Sequence, residues 1–382
     1  MTGIQAGIDG QKRRNSKLLK GARYLGEQII SEALPLHLDI GRVEGLTEDQ
    51  IHALEALQIV AARTAVRSLA SLARIGELDH LGGALGLIPS LTLSLAVTDF
   101  ERVEYTIEHA HTSMGYFASL AAYGYLEEGV VIEQFRRGLD IPGHVSWLPG
   151  GTQLNGGRLG VMVPVAVGQA LGKRAVLGEG AWVVTHCGDA SWISGQALNG
   201  YNGADVHGAP ITFVMDRNGI QLSGATRSVM DKDPRPVVEA QGIEILEIPT
   251  LHDVNQLYQA YREGYRLARE GRPSLIYPTG FATSSGDTIT LDWLADWLGI
   301  RSEAEAFAAE HGVAMAKEVW IPGSLMSFRD VVPMLECIFL VNGLPGGEGH
   351  HDGHMKGRSE SEVLANPMLQ LSPAQQAALD AL

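Results

Sequence analysis

Four short apolar runs, Trp182–Thr185, Ile211–Met215, Ile243–Ile248 and Ser274–Tyr277, constrain this chain's fold more than any other feature. Each is rich in Val or Ile, is bounded by Gly, Pro or Asp, and lacks the polar alternation of a strand with one wet face. Runs of that kind suit strands covered on both faces. Helical stretches between them, Ser194–Gly203 and Val254–Glu270, complete βαβ units. The expected fold class is therefore α/β: a doubly wound, mostly parallel sheet with helices on both faces.

Upstream of the strands, apolar residues recur at three- and four-residue spacing from Glu48 to Arg74, which predicts a long amphipathic helix. Thr47 is its N-cap, with Gln50 three residues on. The expected organisation is a helical N-terminal arm over residues 1–49, a main domain over 50–285, and a helical and loop extension over 286–382. The longest apolar run, Leu81–Val97, is broken by glycines, Pro89 and hydroxyl residues, so it reads as a buried helix rather than a membrane span. Its part from Ile88 to Val97 is more hydrophobic than one sheet face requires, which suggests burial against a neighbouring chain.

Charge and cysteine content exclude some functions. A formal charge of −15 opposes a nucleic-acid partner, because a phosphate backbone demands a basic face. Two cysteines, Cys187 and Cys337, provide no disulfide framework, and the basic N-terminus is followed by no apolar signal segment. A cytoplasmic protein is expected.

The chemistry is concentrated between Cys187-Gly188-Asp189-Ala190 and Asp216-Arg217-Asn218-Gly219-Ile220. A carboxylate ends one expected strand, and a carboxamide follows the next strand 29 positions later. In an open α/β sheet both lie at the carboxyl edge, where ligands bind. Mg²⁺ takes six oxygens and commonly shares them between protein and phosphates. Asp189 offers a carboxylate, Asn218 an amide oxygen and Ile220 a backbone carbonyl; two diphosphate oxygens and a water would complete the shell. A strand-end Gly-Asp also serves simply as a turn that caps a helix.

With its surroundings, this stretch resembles the Gly-Asp-Gly…Asn motif of thiamine-diphosphate enzymes, and the transketolase family in particular. Asp79-His80-Leu81-Gly82-Gly83 is similar to that family's Gly-His-Pro-Gly loop, and His111-Thr112-Ser113-Met114 to its His-Gly-Ser-Met segment. Pro142-Gly143-His144 matches a Pro-Gly-His turn, Gly157-Arg158-Leu159-Gly160 a Gly-Pro-Leu-Gly loop, and Leu222-Ser223-Gly224 an Ile-Asp-Gly. The segments occur in the family's order over residues 50–280.

The resemblance implies a thiamine diphosphate and Mg²⁺ site in the main domain. His80, His111 and His144 would surround the thiazolium and the ketose donor, exchanging protons and binding hydroxyls near neutral pH. His111, Gly157, Leu159, Gly188, Asp189, Ala190, Asn218 and Ile220 would contact the cofactor, with Asp189, Asn218 and Ile220 on the metal. His109 reads as a surface or structural histidine, and Tyr116, Phe117 and Tyr125 as core.

Departures from the family pattern are also visible. Ala190 replaces a glycine, Arg158 replaces a proline and is free to address a substrate phosphate or acid, and Ser194 and Asn199 stand where transketolases carry glutamates. Pro278 to Thr290 contains no counterpart of a further family histidine. The cofactor also needs a glutamate against its aminopyrimidine, carried in the family by a second domain of roughly 150 residues. The 97 positions after residue 285 lack the required strand–helix alternation.

The expectation is a transketolase-type transferase active only with a separate, C-terminal pyrimidine-binding subunit, in an α2β2 assembly. It would transfer a two-carbon ketol unit from a ketose to an aldehyde. A thiamine-dependent 2-oxo acid dehydrogenase first component and a non-catalytic scaffold of the same fold are the alternatives. His350-His351-Asp352-Gly353-His354 stands outside the matched region, and reads as a partner-contacting loop, an active-site lid or a metal site.

Overall fold

The computed structural model describes residue 13 and residues 36–73, 81–137, 141–146, 152, 154, 156–188, 191–192, 194–217, 220–221, 224–225, 230, 232–279, 290–298, 300–317, 361, 364–365 and 369–382. Its centre is a five-stranded sheet of β1 (Val103–Ile107), β2 (Trp182–Gly188), β3 (Ile211–Asp216), β6 (Glu244–Ile248) and β7 (Ser274–Pro278). The strand order is β1-β2-β3-β7-β6. Every neighbouring pair is parallel. A short antiparallel ribbon, β4 (Ile220–Gln221) with β5 (Gly224–Ala225), follows β3.

Both faces are covered at β2, β3 and β7, as their apolar runs require. The edge strand β6 departs from that expectation, with Glu244, Ile245 and Leu246 half-buried and Glu247 exposed, because no strand among the described residues flanks its outer side. Alternate residues of each strand enter opposite cores. Val183, Phe213 and Leu275 join α5 (Met162–Leu177), α6 (Gly195–Val206) and α7 (Arg235–Glu239). Val184, Val214 and Ile276 join α1 (Glu48–Ala73), α2 (Leu81–Val97), α3 (Ser113–Ala122) and α8 (Val254–Arg269). On this second side α4 (Glu128–Gln134) and α11 (Pro373–Asp380) pack against α1, while α9 (Leu291–Leu298) packs on α10 (Arg301–Glu310).

The N-terminus of α1 is fixed by a reciprocal cap. The Thr47 N–H donates to Gln50 Oε1 at 2.9 Å, and the Gln50 N–H donates to Thr47 Oγ1 at 3.3 Å. Residues 36–47, counted in the expected helical arm, are instead non-helical, and Leu36, Leu38 and Ile40 are buried in the core. Apart from residue 13, the rest of the arm lies outside the described residues.

The apolar helix α2 corrects a second expectation. Leu87, Ile88, Leu91, Leu93 and Leu95 are at most 2% exposed within this single chain. Its hydrophobicity is therefore satisfied internally, between α1, α3, α8 and the sheet, and needs no neighbour. Its hydroxyls have a separate use: Ser90 and Ser94 Oγ lie 3.1 and 3.0 Å from Nδ1 and Nε2 of His186, a buried histidine on β2. Among the described residues, no helix is long and apolar enough to cross a membrane.

The strand β1 went unrecognised in the sequence because Glu104 and Thr106 interrupt its apolar run. Both are buried and each has a partner: Lys173 Nζ of α5 sits 2.6 Å from Glu104 Oε2, and Thr106 Oγ1 donates to Thr185 Oγ1 at 3.3 Å. Beyond β1, α3 crosses α2 so closely that a Cβ on Gly115 would lie 2.4 Å from the Ala84 carbonyl oxygen. Gly115→Ala should therefore destabilise the fold by about 1–3 kcal/mol through overpacking against backbone. Urea denaturation of the two proteins measures it, and an unchanged midpoint would contradict the close crossing.

Candidate functional site

The site assembles where β1 and β2 end. The ladder between them continues one residue past β1, with the Glu108 N–H donating to His186 O at 2.7 Å. A turn follows: the Ser113 N–H donates to Ala110 O at 3.1 Å, and Thr112 Oγ1 donates to His109 O at the same distance. His111 is thereby presented, exposed, just before α3 begins.

Ser113 Oγ donates to Gly143 O at 2.8 Å, which fixes the Pro142-Gly143-His144 turn against the N-terminus of α3. That contact brings His144 to His111, with ring centroids 5.3 Å apart and planes at 88°. Both rings belong to exposed residues, so they face open space rather than core.

A third segment closes in from residue 156. The Gly156 N–H donates to Val145 O at 2.9 Å, and the Gly157 N–H to Glu108 O at 2.8 Å. Gly157 has φ +96°, and a Cβ there would lie 2.7 Å from Ala110 Cβ and 3.3 Å from His144 Nδ1. Only glycine lets the backbone pass Ala110 and His144 at this distance. Gly160, at φ +75°, is equally restricted, because a Cβ would overlap the Ser194 side chain. Between them Arg158 is exposed and Leu159 is 54% exposed, an apolar side chain presented to solvent beside the histidine pair.

Gly188 ends β2, and a Cβ there would meet His109 Nδ1 at 2.9 Å. Gly188 is paired with Asp216, the last residue of β3, so the chain leaves adjacent strand ends toward Asp189 and toward Asn218. Asp189, Ala190, Asn218 and His80 lie outside the described residues, as do His350, His351 and His354. Ile220 is placed through its backbone, in the ribbon after β3. Ser194, one of the departures from the family pattern, is the N-cap of α6 and accepts from the Ala197 N–H at 3.1 Å. The free N–H groups and positive end of that helix dipole accompany the edge where β2 ends.

Two buried groups lie beneath this edge, and one of them, Glu108, was not recognised from sequence. Of the surface and structural readings of His109 the structural one holds: it is buried, its Nε2 has no partner among the described residues, and burial, reinforced by His111, depresses its pKa to about 3. Glu108 is completely buried, and its carboxyl accepts from the Gly160 N–H at 2.5 Å, from Ser191 Oγ and from the Gly188 N–H. Burial raises its pKa, and these three hydrogen bonds oppose the rise. The available signal was the Glu108-His109-Ala110-His111 order, in which a charged residue follows a strand and precedes a motif histidine.

This geometry has clear structural counterparts. A crystal structure of a Pichia stipitis transketolase variant with xylulose 5-phosphate superposes with a TM-score of 0.52 at 18% identity, over 68% of this chain and 45% of that one. Over that stretch the chain has the fold of the transketolases. The same enzyme with sedoheptulose 7-phosphate gives 0.50 at 18% identity, over 68% and 45% of the two chains. Residues 152–281 match the family model described as dehydrogenase E1 component. A curated relative, one of the subunits of the apulose-4-phosphate transketolase of Actinobacillus succinogenes, is 30% identical over 154 residues, 38% of this chain and 54% of that protein. The chain thus spans about half the length of the relatives it matches. The resemblance read from the motifs is borne out, since relatives found by sequence and by fold are both transketolases.

Burial gives the transketolase-type domain a distinct acid response. His109, His186 and His252 all have pKa values depressed to about 3 by desolvation. Their unfolded values lie near 6.5, so between these limits the unfolded chain binds more protons, and stability present above pH 6.5 is lost as pH falls. Each contributes up to about 1.4 kcal/mol per pH unit. Glu108, with its pKa raised, has the opposite sign. His252→Gln, remote from the histidine pair, should remove about one proton from the uptake on unfolding at pH 5. Calorimetry in buffers of different ionisation enthalpy checks this, and an unchanged uptake contradicts it.

Proposed function

We propose that this chain is the diphosphate-binding subunit of a thiamine-diphosphate- and Mg²⁺-dependent transketolase that moves a two-carbon ketol unit from a ketose donor to an aldehyde acceptor. It works in the cytoplasm with a separate pyrimidine-binding subunit, in an α2β2 assembly, the smallest two-fold arrangement that places two cofactors between chains. One observation carries the reading: His111, His144 and Gly157, separate in sequence, converge just past the end of β1, at the carboxyl edge of a parallel sheet. The curated relative is itself named as one subunit of a transketolase, which supports the need for a second chain.

The residues present fit the group. Gly157, at positive φ, leaves space beside His144 that a Cβ would fill, and an exposed apolar side chain, Leu159, follows two residues on. When bound, thiamine diphosphate supplies a nucleophilic carbon and an electron sink, chemistry that no side chain provides. The protein's part is positioning and proton handling. Asp189, Asn218 and the Ile220 carbonyl would hold Mg²⁺, with Gly188 and Ala190 against the diphosphate. His111 and His144 would bind the donor's hydroxyls and move a proton as its C–C bond breaks, with His80 assisting. Arg158, exposed next to Leu159, is placed to address an anionic group of the substrate.

Asp189→Ala and Asn218→Ala should each weaken thiamine diphosphate binding at least tenfold while leaving the cofactor-free melting temperature within a few degrees. His144→Gln should retain the cofactor and lower kcat by about 10²–10⁴-fold. Calorimetric titration of the complex with thiamine diphosphate and Mg²⁺ measures the first; unchanged affinity in either variant sinks the assignment. A second reading, the first component of a 2-oxo acid dehydrogenase, is favoured by the family match over residues 152–281. Pyruvate oxidation with an artificial electron acceptor, without transfer from hydroxypyruvate to an aldehyde, would select it.

A further inference from the structure

Glu108 is the most unusual group near the site. A carboxylate with no exposure is expensive unless a cation or several donors compensate it. Among the described residues its hydrogen-bond partners are uncharged donors: the Gly160 N–H, the Gly188 N–H and Ser191 Oγ. Those donors come from two separate segments: the glycine loop 157–160, and Gly188 at the end of β2 with Ser191 beyond it. The backbone of Glu108 extends the same connection, with its carbonyl accepting from Gly157 and its N–H donating to His186.

An apolar residue would fill this volume at lower desolvation cost but would leave the Gly160 and Gly188 N–H groups without that acceptor. The sheet ladder ends at Gly188, so neither Ser191 nor the glycine loop is held by it. Gly160 sits at positive φ, where any Cβ would overlap Ser194, so its loop has one narrow conformation to keep. The carboxyl therefore determines where the two loops stand relative to each other.

We propose that Glu108 is a positioning residue of the cofactor site. Its buried carboxyl latches the glycine loop 157–160 to Ser191, just beyond the end of β2, so that the segment bordering His144 and the segment flanking the metal motif stand in one arrangement. It touches neither substrate nor cofactor, and its role toward thiamine diphosphate rests on the function proposed above.

The test compares wild type, Glu108→Ala and Glu108→Gln in complex with the partner subunit. It combines cofactor-free amide hydrogen exchange with calorimetric titration by thiamine diphosphate and Mg²⁺. In Glu108→Ala, exchange of segments 156–161 and 188–194 should accelerate at least tenfold, while Val183, Val184 and Phe213 stay within threefold of wild type. Cofactor affinity should fall at least tenfold. Glu108→Gln keeps one acceptor oxygen and should recover affinity to within threefold of wild type. If Glu108→Ala does not fold, Ser191→Ala replaces it, with an expected three- to tenfold loss of affinity and faster exchange confined to the same segments.

Wild-type loop exchange and affinity in Glu108→Ala would overturn the latch. So would acceleration spread evenly over the sheet, the mark of a merely structural residue. A wild-type complex that binds no thiamine diphosphate would refute the functional reading and the cofactor role of Glu108 with it, and is recognised before any variant is measured.

Discussion

Everything in this molecule depends on the one-way hydrogen bonding of a parallel sheet. Strands that all point the same way must be connected by crossovers, and the crossovers cover both faces with helices. Val183 and Val184, Phe213 and Val214, Leu275 and Ile276 are consecutive apolar residues because each pair divides between two cores. The same constraint delivers every strand's carboxyl end to one edge. The His111–His144 pair, the restricted glycines and the adjacent ends of β2 and β3 gather there because the topology leaves them no other place.

The edge is held by polar groups taken far from water. His186 is fully buried between Ser90 and Ser94 of α2, and Ser94 Oγ in turn lies 3.0 Å from Tyr261 Oη of α8, so strand and both helices share one network. Glu104 reaches Lys173, and Glu108 reaches three donors. An unsatisfied buried polar group costs about 1–3 kcal/mol, comparable with the gain from burying a large apolar side chain. Such networks therefore do less to increase stability than to fix which helix meets which strand. Satisfaction is not complete: His109 Nε2, like Trp192 Nε1 and Tyr201 Oη, is a buried atom without a hydrogen-bond partner among the described residues.

Legibility in the sequence followed how local each cause was. The cap of α1 is written in Thr47 and Gln50 alone, and the apolar runs of β2, β3 and β7 declare strands covered on both faces, while β6, at the sheet edge, is only partly covered. The histidine motifs were legible through their resemblance, and the structure brings His111, His144 and Gly157 together as that resemblance implied. β1 was hidden because Glu104 and Thr106 look like surface residues until Lys173 and Thr185, some seventy to eighty positions away, are seen to meet them. Glu108 was hidden for the same reason: its three donors lie 52 to 83 positions downstream. α2 was misjudged in the other direction. Its excess hydrophobicity suggested a neighbour, while α1, α3 and α8 already enclose it.

The central claim is that this fold supplies one half of a ketol-transferring site and depends on another chain for the rest. The most direct measurement is transfer from hydroxypyruvate to an aldehyde, with thiamine diphosphate and Mg²⁺, by the purified chain alone and after adding the pyrimidine-binding subunit. The account predicts no turnover alone and turnover that saturates at one partner per chain. A rate from the isolated chain that the partner leaves unchanged would contradict it.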